Sequence, residues 1–241
     1  MSVNLRPLPS ARNLGVILDN RLSMAEQVTA ICRACYYQLR SVVQSLTSEA
    51  SKSCIYKLSL FCNAMLYGTV DNQFQRLQSV QNAATRLVTG SQRSEHITLA
   101  LCSMYWLPVR QWVTFKLATL VHKCLNTQAP TYLADFCRQT GDCCSVMRSA
   151  ETWILHVPHA RSIYGVRSFA VARPSIWNSL PPAIWDPSLS SQGFRKLLKT
   201  HLFGYNGHRA SAFELAPEKC TYLLTLSNIN NQIASDIWRS H

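Results

Sequence analysis

The residues of this chain best suited to chemistry are ten cysteines and seven histidines. Cys32 and Cys35 form a CxxC, the spacing of a redox pair or of half a zinc site. The same two thiols fall on one apolar helical stripe with Val28, Ile31, Tyr36, Leu39, Val42 and Val43. Cysteine often serves as a small buried hydrophobe, and no second CxxC completes a zinc ribbon, so the spacing favours core packing. Cys137, Cys143 and Cys144 with His156 and His159 fit no standard zinc pattern. The carboxylates are scattered singly (Asp19, Glu26, Glu49, Asp71, Glu95, Asp135, Asp142, Glu151, Asp186), whereas two-metal phosphoryl transfer needs them convergent. Neither a phosphate-cradling P-loop nor a G-x-S-x-G elbow is present. The expectation is therefore no catalytic residue, no metal, no cofactor and no small-molecule substrate. A small intracellular enzyme using Cys and His stays open as one alternative, and a helical protein-interaction module as another.

Charge points elsewhere. Against 24 Lys plus Arg stand 12 Asp plus Glu, a net charge of +12 in a chain of 241 residues. Such a balance favours a polyanionic partner. Residues 151–200 carry Arg161, Arg167, Arg173, Arg195, Lys196 and Lys199 against only Glu151 and Asp186. Arg148 precedes them, and Trp153, Tyr164, Phe169, Trp177 and Trp185 are interleaved. Arginine pairs with phosphates and aromatic rings stack unpaired bases. These seven basic residues, Arg148 to Lys199, are thus candidates for non-specific binding of RNA or DNA, the competing reading being a small β core braced by them. The start of the chain has no apolar leader, and the longest near-apolar run, Ile97 to Val109, is too short for a bilayer span of about 20 residues, so an intracellular protein, cytoplasmic or nuclear and without membrane contact, is expected.

The elements that must position these residues read as mainly α. A short strand, Leu14 to Leu18, turns at Asp19-Asn20 into a helix from Met24 to Leu46. Thr47 or Ser48 caps a second helix that stops near Gly68. "LQSVQNAATRLVTG" (77–90) belongs to a third, capped by Asp71, with Phe74, Leu77, Val80, Ala84, Leu87 and Val88 at helical spacing and Gly90 as a left-handed stop. A short helix through Leu99 to Met104 follows, and Pro108 opens a longer one ending before "NTQAP". The β-branched and aromatic stretch near 152–171 predicts a small β hairpin, strands Thr152–Val157 and Ser162–Val171. Ser190 or Ser191 caps a last helix with Phe194, Leu197, Leu198 and Leu202 inward and Arg195, Lys196 and Lys199 outward. Residues 204–241 read as an unrelated tail, disorder being one reading of it.

Several of these stretches share a resemblance. "ARNLGVILDNRLSM" (11–24) is similar to the segment that closes the palm of reverse transcriptases of non-LTR retrotransposons, the long interspersed elements of jockey-like type. "CNAMLYG" (62–68), "LQSVQNAATRLVTG", "HITLALCSMYWLPVRQWVTFKLATLVHKCLN" (96–126) and "APTYL" (129–133) resemble the helical region that follows, and "RSFAVARPSIWNSLPPAIW" (167–185) with "FRKLLKTHLF" (194–203) the region ending many such reading frames. The resemblance covers residues 11–203. It implies an end-of-palm strand and turn over 1–22, a helical thumb-like bundle over 23–138, and a small α+β region over 139–203. Leu14, Gly15 and Val16 would lie at the primer grip, and the thumb would hold primer–template duplex. The family's Tyr/Phe-Ala-Asp-Asp hairpin, which carries the metal-binding aspartates of RNA-directed DNA polymerase, is not in this sequence. The resemblance therefore implies a truncated, non-catalytic remnant with residual nucleic-acid binding.

Overall fold

The computed structural model describes residues 9–13, 15–45, 63–135, 137, 153–185 and 189–204. They are mainly helical, with eight α-helices and one two-stranded antiparallel hairpin among them. The chain divides into two compact units. One comprises Met1–Leu101, Pro108–Val113 and Val157–Ala172; the other comprises Cys102–Leu107, Thr114–His156 and Arg173–His241. Each therefore draws on discontinuous stretches of sequence. No helix among the described residues is long and apolar enough to cross a membrane.

The first unit opens with β1 (Ser10–Asn13) paired to β2 (Val16–Asp19), in the register Ser10↔Asp19 to Asn13↔Val16. Two residues join the strands, and Gly15 takes φ +80°, a conformation that suits glycine. The expected strand is thus the second arm of a hairpin. Asp19 ends it and starts the next element: its carboxylate accepts from the backbone N–H of Ser23 (3.0 Å) and of Met24 (3.0 Å). These bonds satisfy donors at the mouth of α1 (Ala25–Ser45). Val28, Cys32, Cys35 and Leu39 form its buried face, whereas Tyr36, expected on that stripe, is 42% exposed. Gln27, also buried, ties the helix to β2 by accepting from the Ile17 N–H (2.9 Å).

After a 3₁₀ turn, Asn63–Leu66, comes α2 (Asp71–Thr89), which packs on α1. Its buried face carries Phe74, Leu77, Val80, Gln81, Ala84 and Thr85, and Gly90 closes it at φ 68°, as the sequence implied. Two expectations for this helix fail. Leu87 is exposed. Asp71 is the first helical residue, not the cap: Val70 holds that place without a side-chain bond, and Asp71 pairs with Arg110. Arg76 reaches across to α1, donating to the Thr29 hydroxyl (2.9 Å). The short α3 (Ile97–Ser103) buries Ala100 and Leu101. The helix expected after Thr47 or Ser48 lies outside the described residues over most of its length.

Pro108 stands before α4 (Val109–Leu125), whose Trp112 N–H bonds back to its carbonyl (2.9 Å). Val109 to Val113 of this helix belong to the first unit and Thr114 to Leu125 to the second. The second unit also holds α5 (Thr131–Ala134) and α8 (Ser191–Gly204).

The hairpin expected near 152–171 is not formed. Ser162–Val171 instead contributes α6 (Ile163–Val166) and the start of α7 (Phe169–Asn178). The reason is local capping that outweighs β-propensity. Ser162 is the N-cap of α6, its hydroxyl accepting from Gly165 N–H (3.0 Å), and the Ser168 carbonyl accepts from Ala172 (2.9 Å) at the head of α7. Leu155, an isolated bridge residue, has its own backbone groups held by a side chain. The Asn178 amide accepts from Leu155 N–H (2.9 Å) and donates to its C=O (2.8 Å). Trp177 lies beneath, donating to the Trp153 carbonyl (2.8 Å) and stacked near Phe194, with ring centroids 5.9 Å apart.

Candidate nucleic-acid interface

The basic candidates among the described residues occupy different settings. Arg148 lies outside the described residues. Arg161 and Lys196 are exposed. Arg167, half-buried, is a brace within the first unit: Nη1 donates to the Leu22 carbonyl (2.8 Å) and Nε to that of Tyr67 (3.4 Å). Arg173 is fully buried, donating to the Leu133 carbonyl (3.1 Å). Arg195 and Lys199, expected outward on α8, are buried, and Leu197, expected inward, is exposed. The inward face of α8 is Phe194, Arg195, Leu198, Lys199 and Leu202, one residue round from the sequence reading. A long aliphatic stem lets a basic side chain share an apolar face. Burial lowers the affinity of Arg195 for its proton. Of the interleaved aromatics, Tyr164 is exposed and Trp177 buried. A buried cation is poorly placed to neutralise a phosphate, and Arg173, Arg195 and Lys199 are buried. The primer-grip-like trio fares differently: Leu14 lies outside the described residues, Gly15 makes the hairpin turn, and Val16 is buried.

Metal chemistry finds no support in the candidates that are described. Cys32 and Cys35 sit in the core, and burial pushes the Cys32 thiol up. His156 and His159 are exposed, while Cys137 is buried. Cys143 and Cys144 lie outside the described residues. No group of three metal-ligating side chains occurs among those described.

A different basic surface is present in the first unit. Between α1 and α2 runs a groove of about 890 Å³ lined by Tyr36, Arg40, Ser79, Arg86, Ser91 and Arg93, among others, with no carboxylate among the described residues of its lining. Helix geometry explains the arrangement. Arg33, Tyr36, Tyr37 and Arg40 recur at three- and four-residue intervals and share the exposed side of α1, Tyr37 being 77% exposed. Opposite them, α2 supplies Arg86 from its last turn, and Arg93 follows just past the Gly90 stop. Arg86 is half-buried, its Nε buried without a hydrogen-bond partner. Asp71, at the other end of α2, is taken up by Arg110, whose guanidinium also lies 4.9 Å over the Phe74 ring.

No protein-family model, curated protein or solved structure matches this chain.

The groove is not evident from sequence because helical spacing puts Tyr36 on the apolar stripe and the densest basic charge lies in 148–199, away from α1. The signal was there in the i, i+3, i+4, i+7 pattern of Arg33, Tyr36, Tyr37 and Arg40.

Proposed function

We propose that this chain is a thumb-like, non-catalytic segment of the non-LTR reverse-transcriptase type that holds RNA or DNA without sequence preference. The α1–α2 groove is its contact surface. The carrying observation is that groove: three arginines, the exposed Tyr36 and two serine hydroxyls along an open channel that no carboxylate lines among the described residues. Arginine at such a channel neutralises phosphates, and exposed aromatic rings accept unpaired bases by stacking. The resemblance of residues 11–203 supports the same reading, because its thumb-like segment includes both helices of the groove. No residue is assigned a catalytic role: the carboxylates are isolated in sequence, and Asp19 and Asp71 are engaged in capping and in pairing with Arg110.

The test is a fluorescence-anisotropy titration of the whole chain with labelled single-stranded and duplex oligonucleotides of several sequences. Micromolar-range binding that is indifferent to sequence, and that weakens between 50 and 200 mM salt, is the expected result; if each of the three arginines neutralises one phosphate the weakening is about 40-fold. Binding that is absent at 50 mM salt, or that ignores salt, contradicts the proposal.

A further inference from the structure

A second cluster, in the other unit, has no part in nucleic-acid binding. Cys124 lies in the last turn of α4 and Cys137 just beyond α5, and both are buried. Arg173, fully buried in α7, points one nitrogen at both: Nη1 is 3.8 Å from Cys124 Sγ and 3.7 Å from Cys137 Sγ. Both sulfurs thus face the same guanidinium nitrogen. We propose that Cys124 and Cys137 are a peroxide-reactive dithiol, Cys124 the attacking sulfur and Cys137 the resolving one, closing to a reversible disulfide.

The geometry brings both sulfurs to one guanidinium nitrogen, and hydrogen bonding and burial separate their roles. A thiolate needs a cation or a donor to hold its charge in an apolar setting, and Cys124 has both: the Cys137 S–H donates to it and the guanidinium lies against it. The Cys137 hydrogen bond, with the smaller help of Arg173, outweighs burial and brings the Cys124 thiol down to about 7. Donating that same hydrogen bond, together with burial, pushes the Cys137 thiol up, so Cys137 keeps its proton. Cys124 is thus the more acidic sulfur and the better nucleophile of the two, and Cys137 holds its proton more tightly.

The chemistry balances with a hydroperoxide as oxidant. The Cys124 thiolate attacks the O–O bond, an S–O bond forms, and hydroxide leaves and is protonated by solvent. The Cys137 sulfur then attacks the sulfenic sulfur of Cys124. The S–S bond forms as the S–O bond breaks, and the departing hydroxide takes the Cys137 proton as water. Two thiols lose two electrons in all, and hydrogen peroxide becomes two waters. A small oxidant suits the site, since the Cys124 side chain is only 4% exposed and a bulky disulfide reagent would be excluded. The product disulfide takes away the thiolate that faces Arg173, so the reduced form is favoured and the bond is easily reopened.

The whole chain is treated with equimolar hydrogen peroxide at pH 7, digested without reductant and mapped by mass spectrometry. The expected product is a Cys124–Cys137 cross-linked peptide pair, lighter by two hydrogens and restored by dithiothreitol. It should form before Cys102, the more exposed but less acidic thiol, is modified. In Cys137→Ser the reaction should stop at a sulfenic acid on Cys124 that dimedone captures. Arg173→Lys, with folding checked by circular dichroism, should slow cross-linking several-fold. Oxidation of Cys102 while Cys124 stays a thiol would overturn the proposal. So would passage of Cys124 to sulfinic acid in the wild-type chain without cross-linking to Cys137.

Discussion

Asp19 joins a strand to a helix through one carboxylate. Burial alone would raise its pKa, but the hydrogen bonds from the Ser23 side chain and from the Ser23 and Met24 backbone outweigh it and hold the group below its usual 3.8. Asp19→Ala should cost about 1–2 kcal/mol, the range for a lost N-terminal cap. Because the folded pKa is depressed, this stabilisation is complete above the unfolded value and lost as pH falls through the folded one. The stability difference between wild type and Asp19→Asn, from urea denaturation, should therefore shrink on going from pH 7 to pH 3. A difference that stays constant across that range would refute the assignment.

Gly68 makes a second residue-scale case. It sits at φ +69°, and a Cβ there would lie 2.7 Å from Arg167 Cγ. Gly68→Ala should destabilise by more than about 1 kcal/mol, from backbone strain and the clash together. In a thermal melt, adding Arg167→Ala should restore only part of that loss, since the strain remains. The positive φ of Gly68 is a conformation that a glycine in sequence can mark. The arginine packed against it was not legible, because the two are far apart in sequence and nothing in either one names the other.

At the scale of elements, α8 decides between two faces. Leu198 is fully buried and Leu197 is 45% exposed. Leu198→Ala should cost about 2–5 kcal/mol and Leu197→Ala under about 1 kcal/mol. Equal effects would support the face read from sequence. That reading failed because it took charge to mean exposure, while Arg195 and Lys199 are buried on the face that Phe194 and Leu198 occupy. The β reading of 152–171 failed for a related reason. Phe169, Val171 and Ile176 have strand-like chemistry, but Ser162 and Ser168 supply helix starts at the right spacing. Asn178 then holds the backbone groups of Leu155. Asn178→Ala should strand both backbone groups of a buried residue and cost about 1–3 kcal/mol by chemical denaturation. The helices α1 and α2 and the Gly90 stop were legible because long amphipathic periodicity and a terminal glycine are local signals.

For the whole molecule, the net charge of +12 was the most informative number in the sequence, yet it did not locate the surface. Dense charge in 151–200 is partly spent inside the fold, on Arg167 as a brace and on Arg173, Arg195 and Lys199 in buried positions. The sparser charge of α1 and α2 lines the groove instead. The protein should also give no extension of an oligo(dT) primer on poly(rA) with Mg²⁺ or Mn²⁺. Incorporation abolished by changing an acid of this chain would contradict the non-catalytic reading.

The central claim is that the α1–α2 groove is where nucleic acid is held, and the salt dependence of binding tests it most directly. Arg40, Arg86 and Arg93 replaced together by Gln should lower the slope of log Kobs against log salt by about 2–3 units, if each arginine neutralises one phosphate. Replacing the exposed Arg161 and Lys196 by Gln should leave the slope nearly unchanged. A groove variant that folds normally and keeps the wild-type slope, with the loss falling on Arg161 and Lys196, would place the contact surface elsewhere.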